Sequence, residues 1–167
     1  KKNFELLKLN ISLNHLEDRI ISYNYALSNK DDEFVEMELA SDNYGDHRIK
    51  SEINFNIHGE EDRKTIKVKT KKFDTLFKNI NPVNDLIWMD TQGYEPIILS
   101  GANNLINSKA PLVLEFWPYA LKRSGLWEKM FEHLKNFDYY VDLSDQNLLA
   151  KKIDDNAILE LQNGWGD

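Results

Sequence analysis

"LIWMDTQGYEPIILSGANNL", residues 86–105, drives an apolar run directly into Asp90, Gln92, Gly93 and Glu95, and then resumes an apolar pattern of a different period. Extended back to Pro82, its first part reads as a buried strand ending at Asp90. Pro96 is favoured in the first turn of a helix, so residues 95–108 read as a helix packing back on that strand. A hydrophobic strand, a glycine-bearing polar turn and a helix make one unit of an α/β sheet. In such sheets ligands sit beyond the carboxyl ends of the strands, so the abrupt polarity marks the edge of a site.

The same alternation extends in both directions. Upstream, residues 1–14 form an amphipathic helix with Phe4, Leu7 and Ile11 at helical spacing, and a strand is expected from Arg19 to Ala26. Residues 33–40 and 65–70 alternate apolar and charged side chains, the pattern of half-exposed antiparallel strands. The polar stretch 41–64 between them reads as a loop, and residues 71–80 as a short helix with Asp74 near its start. Downstream, residues 110–117 predict a second buried strand, residues 125–137 an amphipathic helix with Trp127, Phe131 and Leu134 in the core, and residues 138–144 a third strand. Residues 147–152 and 157–162 are expected as a closing antiparallel pair. Continuous apolar strands alternating with helices predict a largely parallel sheet covered on both faces, in a single domain over residues 1–167.

Composition narrows the function classes. Hydrophobic residues at 41% and charged residues at 29% suit a soluble globular domain. A net charge of −7 opposes binding to nucleic-acid backbones. There is no cysteine, hence no disulfide framework or thiolate metal site, and the oxygen ligands of Asp90 and Gln92 are too few to specify a metal. No apolar run reaches the roughly 20 residues of a membrane span, so a cytoplasmic protein without membrane partners is expected.

Several short motifs, in one order, resemble the FkbM-type methyltransferases. They are "TIKVKTKKFDTLF" (65–77), "LIWMDTQGYEPIILSGANNLI" (86–106) and "APLVLEF" (110–116), preceded by "LLKLNISLN" (6–14), "YALSNKDDE" (25–33) and "SDNYGDH" (41–47). The resemblance implies a Rossmann-like class I fold that transfers the methyl group of S-adenosylmethionine to a hydroxyl of a sugar or other small metabolite. Such chemistry needs an oxygen aligned with the methyl group and a group that accepts its proton. Asp90 is the first candidate for that role, with Glu95 and Glu115 next. Cofactor contacts are expected at Ala26, Leu27, Asp90, Thr91, Gln92 and Gly93, and acceptor contacts at Tyr44, His47, Trp117 and Tyr119.

Two departures from the family pattern stand out. Gln92 occupies a position where the family usually carries Glu, and no glycine-rich cofactor turn precedes the first helix, since Gly45 is the first glycine. The chain therefore reads as the C-terminal part of such a domain, without its first two strands, and weakly active or inactive by itself. In the family's fold those strands lie between the one ending at Ala26 and the one ending at Asp90, which leaves two open edges. Other readings remain for individual residues. Asp90, Gln92 and Glu95 suit capping of the following helix. Leu27 fits the core equally well, Trp117 and Tyr119 fit packing between strand and helix, and His47 and His58 fit a solvated loop. The alternative for the whole chain is a non-catalytic Rossmann-like domain binding a metabolite or a protein.

Overall fold

The computed structural model describes residues 2–41, 43, 45–51 and 63–164. Its elements are α1 (Lys2–Leu13), β1 (Ala26–Ser28), β2 (Phe34–Leu39), β3 (Arg48–Ile49), β4 (Lys64–Lys72), α2 (Phe73–Leu76), β5 (Ile87–Met89) and α3 (Glu95–Leu99). There follow α4 (Asn103–Ser108), β6 (Leu112–Leu114), α5 (Pro118–Arg123), α6 (Trp127–Leu134), β7 (Tyr139–Tyr140), β8 (Lys151–Lys152) and α7 (Asp155–Gly164). The chain is a mixed α/β fold, as its periodicities predict.

The single, largely parallel sheet is not observed among these residues. Instead a four-stranded sheet runs in the order β1-β4-β2-β3, and β5-β6 and β7-β8 form separate pairs. β2 and β4 pair antiparallel, and Glu36 faces Lys67 across the ladder as an opposite-charge pair. β1 joins the far edge of β4 in parallel, with Ala26 opposite Thr70 and Ser28 opposite Lys72. The strand expected over residues 19–26 is thus only three residues long and shifted to 26–28. Residues 20–25, though β-branched and aromatic, have no strand partner, and Ile21 is 79% exposed. β3 lies inside the expected loop because Arg48 places its buried guanidinium 2.7 Å from Glu38 on the neighbouring strand.

β5 and β6 are parallel, with Met89 opposite Leu114, but the expected buried strands are partly wet. Met89 points into the core whereas Trp88 is 72% exposed, because the pair is covered mainly on the face that carries α3 and α4. β6 also ends at Leu114 rather than at Trp117, since Pro118 opens α5. The third strand pairs with β8 and not with the parallel pair. The last expected strand is a helix: Ala157 and Ile158 are buried while Leu159 is exposed, a helical rather than an alternating pattern, and Asp154 Oδ1 accepts the Ala157 N–H at 2.9 Å.

The helix expected over residues 95–108 is broken into α3 and α4. At the break, a Cβ on Gly101 would lie 2.3 Å from the Ser28 carbonyl oxygen of β1. Asp74 in α2 restarts the helix, its carboxylate accepting the backbone N–H groups of Asn103 and Asn104 at 2.9 Å each. Its own N–H donates to Gly101 O at 3.1 Å. Phe73, Met89, Ile98, Leu99, Ala102, Leu105 and Ala110 form the core around this junction. On the outer side, Ser100 Oγ and His133 Nε2, 3.0 Å apart, tie α3 to α6, and burial pushes the His133 imidazole below its ordinary range.

Gly101→Ala forces the β1 backbone away from the α3–α4 junction. It is expected to destabilise the chain by about 1–3 kcal/mol. Thermal unfolding followed by circular dichroism would show this as a melting temperature several degrees lower. Asp74→Ala, which removes two helix-terminal acceptors, is expected to cost about 0.5–2 kcal/mol in the same measurement.

Candidate functional site

β1 and β5 are each at the edge of their sheet, and a cleft of about 1000 Å³ is lined by both. Ala26 and Leu27 contribute from β1, and Ile87, Trp88 and Met89 from β5. Tyr94 and Ile98 add an apolar boundary, and His47, Arg48 and Ile49 reach it from the other sheet. Tyr94 Oη and Ser28 Oγ are 3.2 Å apart, a polar link between β1 and the start of α3. Arg48 is committed to Glu38, so Asp85 and Asp90 leave the lining acidic in balance.

The polar end of the site follows from strand register. Because Met89 and Leu114 are opposite each other in parallel strands, the next residues, Asp90 and Glu115, emerge side by side. The Glu115 N–H donates to Met89 O at 3.0 Å and holds this register to the strand end. The chain then turns sharply, with φ of 58° at Gln92 and 92° at Gly93. A left-handed conformation is unusual for glutamine, and such strain persists only where the surroundings impose it. Here Arg123 Nη2 donates to Gln92 O at 3.0 Å and Ser124 Oγ donates to Gly93 O at 3.1 Å. Gly93 is required for close approach as well, since a Cβ there would lie 2.7 Å from the Ala120 carbonyl.

This turn brings three polar side chains into one network. Gln92 Nε2 donates to Asp90 Oδ1 at 2.9 Å and to Glu115 Oε2 at 3.1 Å. Burial, the charge of Asp90 and a hydrogen bond shared with Asp90 push the Glu115 carboxyl up to about 7, with smaller contributions from Glu95 and Asp46. Glu95 is only 1% exposed, and its Oε1 accepts the Thr91 N–H at 2.7 Å. Its Oε2 has no hydrogen-bond partner among the described residues, an uncommon state for a buried carboxylate. Neither Asp90 nor Gln92 caps α3, whose N-cap residue Tyr94 has no side-chain cap bond. Their side chains bond within the network instead.

The remaining expected site residues fall in different places. His47 lines the cleft and accepts the Ala40 N–H through Nδ1 at 3.1 Å. Leu27 lines the cleft and also packs on the core. Trp117 and Tyr119 pack on each other with ring centroids 5.5 Å apart and are not part of the cleft lining. Tyr44 and His58 lie outside the described residues. Sequence reading missed Tyr94, Arg123 and Ser124, which build the turn or the cleft wall from separate elements and carry no local signature. Among the described residues, no group of three or more His, Cys, Asp or Glu side chains could hold a metal ion. No helix of the described residues is long and apolar enough to cross a membrane.

Residues 1–155 match the family model described as the methyltransferase FkbM domain. No curated protein and no solved structure matches the chain.

The elevated Glu115 makes stability depend on pH. Between its ordinary value of 4.5 and about 7, the folded chain keeps a proton that the unfolded chain has lost. Stability from this group therefore falls as pH rises through that window and levels off above about 7. Glu115→Gln is expected to remove this slope. Urea unfolding of both proteins at pH 5 and pH 8 would show the variant gaining relative stability at pH 8; parallel pH dependence would show that Glu115 is not elevated.

Proposed function

The chain belongs to the FkbM methyltransferase family, and from that premise we propose that it is an O-methyltransferase using S-adenosylmethionine and a hydroxyl-bearing small acceptor such as a sugar. The observation that carries the reading is the Asp90–Gln92–Glu115 network at the carboxyl end of the parallel pair, beside the cleft. When bound, S-adenosylmethionine supplies an electrophilic methyl group on a sulfonium. The described cleft suits it in charge and character: Ala26 and Leu27 offer an apolar surface for a purine, and Asp85 and Asp90 offer negative charge for a cation.

The residues of this chain supply the acceptor side. As the acceptor oxygen bonds to the methyl carbon and the carbon–sulfur bond breaks, the hydroxyl proton must leave. In this reading the carboxyl pair of Asp90 and Glu115, beside the cleft, takes it. Glu115, held at about 7, is better matched to proton transfer near neutrality than an ordinary carboxylate. The sequence alone ranks Asp90 first; in this reading the raised carboxyl of Glu115, beside the cleft, is the base and Asp90, which lines the cleft, orients the acceptor. Asp46, Asp90, Glu95 and Glu115 surround this end of the site with acid, and Arg63 is spent on Asp46 at 2.6 Å. A neutral acceptor fits that field, and a phosphorylated or carboxylated one is repelled.

A second reading has its own support. No glycine lines the cleft among the described residues, so the close backbone approach that a glycine turn allows is not contributed there. That favours weak cofactor binding, or a non-catalytic domain that binds a metabolite through the same cleft.

Two measurements separate these readings. Calorimetric titration with S-adenosylmethionine is expected to show binding weaker than low micromolar, and tighter binding would overturn that expectation. Transfer of labelled methyl groups to a panel of neutral sugars and their phosphates is expected to favour the neutral acceptors, with a rate that rises with pH through about 7. Glu115→Gln should lower that rate by about 10²–10⁴-fold. Absence of transfer to any hydroxyl acceptor at saturating cofactor would leave the binding-domain reading.

A further inference from the structure

Gln92 is the one member of the carboxyl network that cannot itself ionise, and it is also the most constrained. Its backbone sits at φ 58°, its carbonyl is held by Arg123 Nη2 at 3.0 Å, and the following Gly93 packs on Ala120. From that fixed point its amide spans two strand ends, reaching Asp90 Oδ1 at 2.9 Å and Glu115 Oε2 at 3.1 Å. An amide nitrogen carries two hydrogens, enough for one bond to each carboxyl. A carboxylate at this position could make neither bond without a proton of its own.

We propose that Gln92 is a positioning residue, whose side-chain amide clasps Asp90 and Glu115 together and keeps one of them available as a proton acceptor. Like charges at this distance would otherwise drive the pair apart or into the protonated state. The amide offsets that repulsion by donating to the ionised oxygens. Other charged groups act on the same carboxyl and do not replace this donor. Asp90 from the end of β5, Glu95 from α3 and Asp46 from the segment before β3 all raise Glu115. Arg63 is paired with Asp46, and Arg123 reaches the Gln92 carbonyl rather than its side chain. The inference deepens the methyltransferase reading and rests on it only for the reaction served.

The test is a carboxyl-carbon NMR titration of Glu115, assigned by its loss in Glu115→Gln, in the wild-type chain and in two variants. Gln92→Glu keeps the shape and exchanges the donor for a third acid. Gln92→Asn tolerates the left-handed backbone but is one methylene too short to bridge both partners. Glu115 is expected to titrate at least about one pH unit higher in Gln92→Glu than in wild type, and to move upward by less in Gln92→Asn. Wild-type behaviour of Glu115 in folded Gln92→Asn would overturn the proposal, whatever Gln92→Glu shows, because a third acid raises Glu115 by its charge alone. The rising limb of the pH–rate profile should move with the NMR value. Because the titration needs no turnover, a shifted Glu115 in a chain without methyl transfer would support the role of Gln92 and overturn only the methyltransferase reading.

Discussion

The constraint on which the rest of the described structure depends is the close approach of Gly101 to the Ser28 carbonyl, where the α3–α4 junction meets the end of β1. It matters because, among the described residues, the β1-β4-β2-β3 sheet and the β5-β6 pair share no strand and hence no ladder of hydrogen bonds. Their relative placement falls to helices and side chains. α2 continues directly from β4, and its Asp74 binds both the Gly101 carbonyl and the first N–H groups of α4. Tyr94 adds its hydroxyl to Ser28. Through these bonds one sheet is registered against the other, and the cleft between them acquires a defined width.

The site inherits its geometry from that arrangement at one remove. Parallel register makes Asp90 and Glu115 neighbours, and the core beneath Met89 keeps the register. α5 then grips the turn at 92–93 from the far side, and the strained backbone of Gln92 turns its amide onto both carboxyls. Glu115 is elevated as a result of this crowding, with burial as the leading cause. A single glycine, Gly93, permits the turn and the helix contact together.

Parts of this were legible in the linear chain because they depend on local chemistry. The helices over 1–14 and 125–137, the alternating strands β2 and β4, and the strand–turn–helix unit around Asp90 all follow from periodicity and turn residues, although in α1 only Ile11 is buried and Leu7 of the expected apolar face is exposed. The break at Gly101 was not legible, since a helix-compatible sequence is interrupted there by a backbone from another part of the chain. The segment over 19–26 misled for a related reason: β-branched and aromatic residues favour a strand only when a partner edge exists, and β4 offers three positions. The run at 157–162 is too short for its period to decide between strand and helix, and Asp154 tips it to helix from outside the run.

By itself, the sequence determined the α/β class and the family, because hydrophobic period, turn composition and ordered motifs are properties of neighbouring residues. The tertiary structure alone decided how the strands divide among sheets, which carboxyl rises toward neutrality and what the glutamine does between them. Those outcomes depend on distances between residues far apart in the chain: Glu115 is 23 positions from Gln92, and Arg123 is 31. A carboxyl's proton affinity is set by what surrounds it in space, and only folding brings Asp90, Gln92 and Glu115 within reach of one another.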